Sequence, residues 1–179
     1  MPRSLLRSLT WLGLSLATAT AIAADGEKKA FSLPDNSKLE LAIPAGWKDE
    51  LKEKSIAFSP REGAPFQVVL TPVARQKPGG SADTAIQMRL NVQQAADKVK
   101  ASALEQYLAV EELKGASAPG YYFSATDREP KPGEFKYLSQ GMLLVGDVVV
   151  AFSILTNDAQ EKVRDEALAM LKSASHIAR

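Results

Sequence analysis

The densest apolar stretch of the chain is residues 135–155, FKYLSQGMLLVGDVVVAFSIL, in which two apolar runs flank Gly146-Asp147. A Gly-Asp pair between β-prone runs predicts a two-residue hairpin turn, because glycine tolerates the positive φ that such turns require. The second run, 148–155, hardly alternates: Val148, Val149, Val150, Ala151, Phe152, Ile154 and Leu155 would fill both faces of a strand. A strand apolar on both faces is expected in mid-sheet, with cover on each side. The first run mixes Lys136, Ser139 and Gln140 with Phe135, Tyr137, Leu138 and Met142, and is expected to be half solvated.

Upstream, Phe31-Ser32-Leu33 and residues 39–43 flank the turn-forming cluster Pro34-Asp35-Asn36-Ser37. Leu39, Leu41 and Ile43 alternate with Glu40 and Ala42, as in a half-buried strand. Pro44-Ala45-Gly46 ends that strand before Trp47, which is expected to close one end of the core. Residues 48–54 are a run of mixed charge, expected as a solvated connection. Strands follow over 55–59 and 66–73. The short connections predict one antiparallel meander over 31–73.

A helix is predicted over 82–101, capped by Ser81 or Asp83. Ala85, Met88, Val92, Ala95, Ala96 and Val99 form its apolar stripe. Residues 104–113 are expected to return to strand, with the alternative that Leu104-Glu105-Gln106-Tyr107 prolong the helix. Residues 121–126 are the next strand, with Tyr121, Phe123 and Ala125 on one side and Tyr122, Ser124 and Thr126 on the other. A second helix is expected from about Asp158, with Asn157 as cap and Gln160 as its capping-box partner. Val163, Ala167, Met170, Leu171 and Ala174 make its buried face. The pattern is that of an α+β domain.

Residues 1–23 change the picture from an ordinary domain to an exported one. Arg3 and Arg7 precede an apolar core from Leu9 to about Leu16, and Ala21-Ile22-Ala23 puts small residues at the −3 and −1 positions. This is a secretory signal, with cleavage expected after Ala23. Residues 24–30 are expected as a flexible leader and 31–179 as a single domain. The chain of 179 residues carries 22 Lys and Arg against 21 Asp and Glu, and removing Arg3 and Arg7 leaves a net charge of −1. Such a balance is no electrostatic footprint for nucleic acid. Cysteine is absent, which excludes disulfides, thiol nucleophiles and a bacterial lipoprotein anchor. No further stretch nears membrane-spanning length. The expected location is the periplasm or outside the cell.

Four local signatures occur in order: IPAGW at 43–47, PGYYFSATD at 119–127, YLSQGMLLVGDVVVAFSIL at 137–155, and AMLKSAS at the end of the last helix. Their order resembles the PsbP-like family, including its bacterial DcrB-like members, over about residues 30–177. The resemblance implies an antiparallel β-sheet with helices packed on both faces, an α/β/α sandwich. It also implies a non-enzymatic habit of serving as an accessory or binding module. PsbP proteins influence the metal and ion environment of photosystems, but this chain lacks their histidine complement, so no metal site carries over. DcrB-like members are often lipoproteins, an anchor that the missing cysteine removes. A related fold occurs in a Ran-binding nuclear import factor, a partner that the export signal makes irrelevant.

Candidate chemistry is sparse. His176, the single histidine, lies past the expected end of the last helix and lacks a positioned partner. Asp127, Glu129 and Glu134 share one loop with Arg128, Lys131 and Lys136. That set reads as a solvated ion cluster; a glycosidase would need a carboxyl with raised pKa held in a cleft. No catalytic residue, cofactor or metal ligand is expected. The partner expected is another envelope protein, met by the loops 74–82 and 127–134, because loops on a rigid scaffold carry recognition. Lys77, Asp127, Arg128, Glu129 and Lys131 are the candidate contacts. The outward-facing member of Tyr121 and Tyr122 is a further one. The alternative is a small-molecule carrier with a pocket between sheet and helix, which predicts an apolar cavity of several hundred Å3.

Overall fold

The structure is a computed structural model that describes residues 26–73, 81–115 and 119–178; residues 1–23, read as a secretory signal, the expected cleavage after Ala23 and Lys77 lie outside the described residues. The elements run β1 (Glu27–Ser32), β2 (Lys38–Ile43), β3 (Trp47–Lys52), β4 (Ser55–Pro60), β5 (Gln67–Val73), α1 (Ser81–Val99), β6 (Glu111–Lys114), β7 (Pro119–Thr126), β8 (Tyr137–Val145), β9 (Val148–Thr156), α2 (Glu161–Lys172) and β10 (Ser175–Ile177). Seven strands form one antiparallel sheet in the order β3-β4-β5-β9-β8-β7-β6. The other three form a small antiparallel sheet, β1-β2-β10.

The valine-rich run is β9, the fourth of the seven strands and therefore the centre of the large sheet. Its turn is the expected one: Val145 pairs with Val148, and Gly146 takes φ 58°. Side chains alternate between faces along a strand. Val148, Val150, Phe152, Ile154 and Thr156 are buried on one face of β9, while Val149, Ala151, Ser153 and Leu155 on the other are half-buried. The buried face joins Phe58, Val68, Leu70 and Leu143 in the main core. Each such apolar side chain contributes about 1.5–3 kcal/mol when fully buried.

The expected α/β/α sandwich, with helices packed on both faces, is not what this chain builds. Ten strands and two helices make a mainly antiparallel β structure among the described residues. One face carries α1, which packs over β7 and β8 through Val92, Ala96, Phe123 and Ala125. The opposite face is covered by the small sheet, with α2 beside it. Phe31, Leu33, Leu39, Leu41 and Ile43 share the main core with Ala167, Met170 and Leu171 of α2. The reason is physical: the N-terminal hairpin has an apolar face of its own, which must be buried against another layer. It thereby occupies the ground that a helical layer would take.

Several local expectations change with it. Residues 27–30, read as a flexible leader, are paired in β1 against β2 as far as Ile43. Nearly every β1 side chain is exposed, so the strand has no period-two pattern and is held by its backbone ladder. Lys29 adds a bridge to the other sheet, its Nζ lying 2.7 and 2.6 Å from the two carboxylate oxygens of Asp49. Residues 48–52, read as a connection, are the edge strand β3; its charges protect an exposed edge from pairing with other chains. The expected single meander breaks at Pro44-Ala45-Gly46, where Gly46 at φ 81° lets the chain change sheets. Trp47 is buried as expected, its ring 4.5 Å from that of Phe66.

Of residues 104–113, only 111–113 belong to a strand; Leu108 is buried, and Ala103 bridges Asp127. Helix α1 has the predicted faces, with Met88, Val92 and Ala96 buried. Helix α2 starts later than predicted, at Glu161, and Gln160 rather than Asn157 is its N-cap. Gln160 is buried because its amide ties three segments together. Its Oε1 accepts from the Asn157 N–H at 2.7 Å, and its Nε2 donates to the Ala64 and Pro65 carbonyls at 3.3 and 3.1 Å. His176 lies past the end of α2 and is exposed, and it belongs to β10, with its ring against Gly146.

Candidate functional site

The loop 127–134 is fastened at both ends by its own residues. The Asp127 N–H donates to the Lys136 carbonyl at 2.8 Å, and its Oδ1 accepts from the Glu129 N–H at 3.0 Å. The Arg128 N–H donates to the Ser102 carbonyl at 2.9 Å, and its Nη2 donates to the Ala103 carbonyl at 2.7 Å. Glu134 closes a turn by accepting from the Lys131 N–H at 3.1 Å and donating its own N–H to the Lys131 carbonyl. Asp127, Arg128 and Glu134 therefore hold the loop's shape. The side chains of Glu129 and Lys131 are exposed and have no partner among the described residues.

The three carboxylates that a hydrolase would need do not converge: two are committed to turns and the third points outward. Among the described residues no three His, Asp or Glu side chains are grouped as metal ligands. Tyr121 and Tyr122 lie on opposite faces as predicted, and both are half-buried. Tyr121 packs into the α1 cluster and Tyr122 against the main core. Neither is the outward contact residue expected.

The Tyr122 hydroxyl donates to Glu111 Oε2 at 3.0 Å. Burial first, and then this carboxylate, push the phenol up from 10.0 to about 12. A raised folded-state value means that the neutral phenol favours the fold below pH 10, and that this contribution is lost as the pH climbs toward 12. Chemical denaturation across that window is expected to show falling stability in the wild type and a flatter profile in Tyr122→Phe. Parallel profiles would contradict the contact.

A hollow of about 250 Å3 lies where the ends of β7, β8 and β9 meet the first turn of α2. Ser139 and Thr156 are buried in its wall, and the Ser124 and Ser139 hydroxyl oxygens stand 2.8 Å apart. Glu105 reaches in from the segment after α1. Its two carboxylate oxygens accept from the Thr126 N–H at 3.0 Å and the Thr126 O–H at 2.7 Å. Burial pushes this carboxyl up, yet the Thr126 hydrogen bonds together hold it below its ordinary value. Glu161 and Arg164 flank the mouth. A more open hollow of about 540 Å3 lies between the β1–β2 turn, the β3–β4 turn and the end of β5, beside the exposed Leu51. The first lies between sheet and helix, as a carrier predicts, but its wall is about half polar rather than apolar; the second lies between strands.

The 250 Å3 hollow was not visible as a motif. Its residues are scattered from 105 to 164, and each strand ending there contributes only one or two polar positions. The one local signal is a hydroxyl on the buried face of an otherwise apolar strand, as at Ser139 and Thr156.

No family model matches the chain, and no curated protein matches it. Several solved structures are similar to the chain. A crystal structure of a protein from Bacteroides thetaiotaomicron aligns with a TM-score of 0.52 at 12% identity, over 84% of this chain and 48% of that one. The chain thus spans about half the length of that protein. The solution structure of cyanobacterial PsbP (CyanoP) from Synechocystis aligns with a TM-score of 0.49 at 13% identity, over 92% of this chain and 99% of that one. The second likeness is too loose to support an inference about this chain. The first concerns architecture alone, and architecture is what the chain shares with solved proteins.

Proposed function

We propose that residues 1–23 direct export and are removed after Ala23, and that the mature chain is a non-enzymatic accessory protein of the bacterial cell envelope, in the manner of DcrB-like proteins. It acts by binding another envelope protein. The observation that carries this reading is the loop 127–134: hydrogen bonds at Asp127, Arg128 and Glu134 fix its shape while Glu129 and Lys131 stay exposed and unpaired. A pre-formed polar loop loses little entropy when a partner docks on it. Among the described residues no helix is long and apolar enough to cross a membrane.

Co-purification from the envelope of the producing bacterium tests the reading, comparing wild type with Glu129→Lys/Lys131→Glu. These two side chains are not part of the loop's fastening, so the variant should melt like wild type. One envelope protein is expected to co-purify with the wild type and to be lost with the variant, and the purified chain should begin at Ala24. An unchanged set of partners, or a chain that retains residues 1–23, contradicts it. A second reading, a small-molecule carrier, is favoured by the 250 Å3 hollow beside α2.

A further inference from the structure

We infer that the hollow between the ends of β7, β8 and β9 and the first turn of α2 binds a small polyhydroxylated molecule the size of one sugar ring. This inference rests on the carrier reading and names its ligand class. The key residue is Thr156, the last position of the central strand. It is only 4% exposed, it lines the hollow, and its hydroxyl has no hydrogen-bond partner among the described residues. No buried side-chain nitrogen or oxygen among the described residues lacks a partner, so this unpaired hydroxyl opens onto the hollow rather than being sealed in the core. On an otherwise apolar strand it offers an occupant of the hollow one donor and an acceptor.

The rest of the wall has unused capacity of both kinds. The Ser124–Ser139 contact uses one of two O–H groups, leaving one donor free. Glu105 accepts two hydrogen bonds, and a carboxylate has room for about four. Glu161 has no partner among the described residues. Arg164 directs Nε and Nη2 to Asp165, which leaves Nη1 free. The Tyr137 ring is held beside them by its O–H, which donates to Asp158 Oδ1 at 2.7 Å.

An anion would satisfy the guanidinium and hydroxyls but meet two carboxylates. A cation would satisfy the carboxylates and leave the donors unpaired. Hydroxyl groups both donate and accept, so several of them on one ring answer the whole wall, with charge-assisted bonds to the carboxylates. The volume sets the size: about 250 Å3 falls just below the range of about 300–1,000 Å3 usual for drug-sized ligands.

Amide NMR titration of the mature chain with glucose, galactose and N-acetylglucosamine, and with glycine and alanine as zwitterionic controls, tests this. Saturable shifts at Ser139, Thr156 and Glu161 are expected with at least one sugar and with neither amino acid. Thr156→Val should weaken that binding about tenfold without lowering the melting temperature, since the lost hydroxyl has no partner in the free protein. Glu161→Gln, a change at an exposed position, should weaken it as well. Shifts at these amides with an amino acid and not a sugar would overturn the ligand class and leave the carrier reading standing. No shift there with any probe would overturn both.

Discussion

Gly141→Ala is expected to lower the melting temperature by about 10 °C, the consequence of a loss of roughly 3 kcal/mol or more in a domain of this size. Gly141 lies inside β8, paired with Phe152 of β9 on one side and Tyr122 of β7 on the other. A Cβ there would overlap the Tyr121 carbonyl oxygen and stand 2.6 Å from the Tyr122 Cβ and 2.7 Å from Phe152 Cζ. The first two cannot yield without moving β7, since one is backbone and the other is the root of a side chain. The Phe152 ring, itself 2% exposed, occupies the space that the missing side chain leaves. Phe152→Leu on the Gly141→Ala background should recover part of the loss, because it removes one of the three clashes. Thermal unfolding of the single and double variants checks this; a Gly141→Ala protein that melts like wild type would contradict the packing of the three central strands.

Met170→Asp is expected to leave the protein largely unfolded or aggregated. Met170 is 2% exposed and belongs to the main core, between the apolar side chains of α2 and those of the small sheet. An aspartate there is either an unpaired buried charge or a neutral acid without a hydrogen-bond partner, and a penalty of roughly 3–5 kcal/mol rivals the total stability of a small domain. Met170→Leu, which conserves volume and polarity, should cost less than about 1.5 kcal/mol. The pair separates charge from shape. Circular dichroism melts in which Asp and Leu behave alike would show that α2 is not seated on the core.

What was legible along the chain was whatever a single segment decides for itself. The central position of β9 follows from a run apolar on both faces. The buried stripes of α1 and α2 follow from their spacing, and the turn at Gly146-Asp147 from glycine's φ. The sheet that each strand joins is decided elsewhere. β1 exposes nearly all its side chains and β10 is three residues long, so neither carries a periodic signal, and the pairing of β10 with β2 joins positions up to 139 apart. That is why the layer opposite α1 was expected to be helical and is instead mainly a small sheet. Gly141 carries a local signal as well, since a glycine inside a strand marks a close approach of backbone or ring. The loop 127–134 was visible by its composition. Its division into fastening residues and free ones depends on the Ser102 and Ala103 carbonyls, which no local pattern connects to Arg128.

β9 is the innermost strand, enclosed by neighbours on both edges and by the small sheet and α2 on its buried face. Native-state amide hydrogen exchange tests it most directly, because protected amides open only with the whole domain whereas edge strands open locally. Residues 149–155 are expected to be among the slowest to exchange, with free energies matching global unfolding, while β3 and β6 at the two edges exchange through cheaper openings. Exchange across 149–155 as fast as that of β3 would contradict the account.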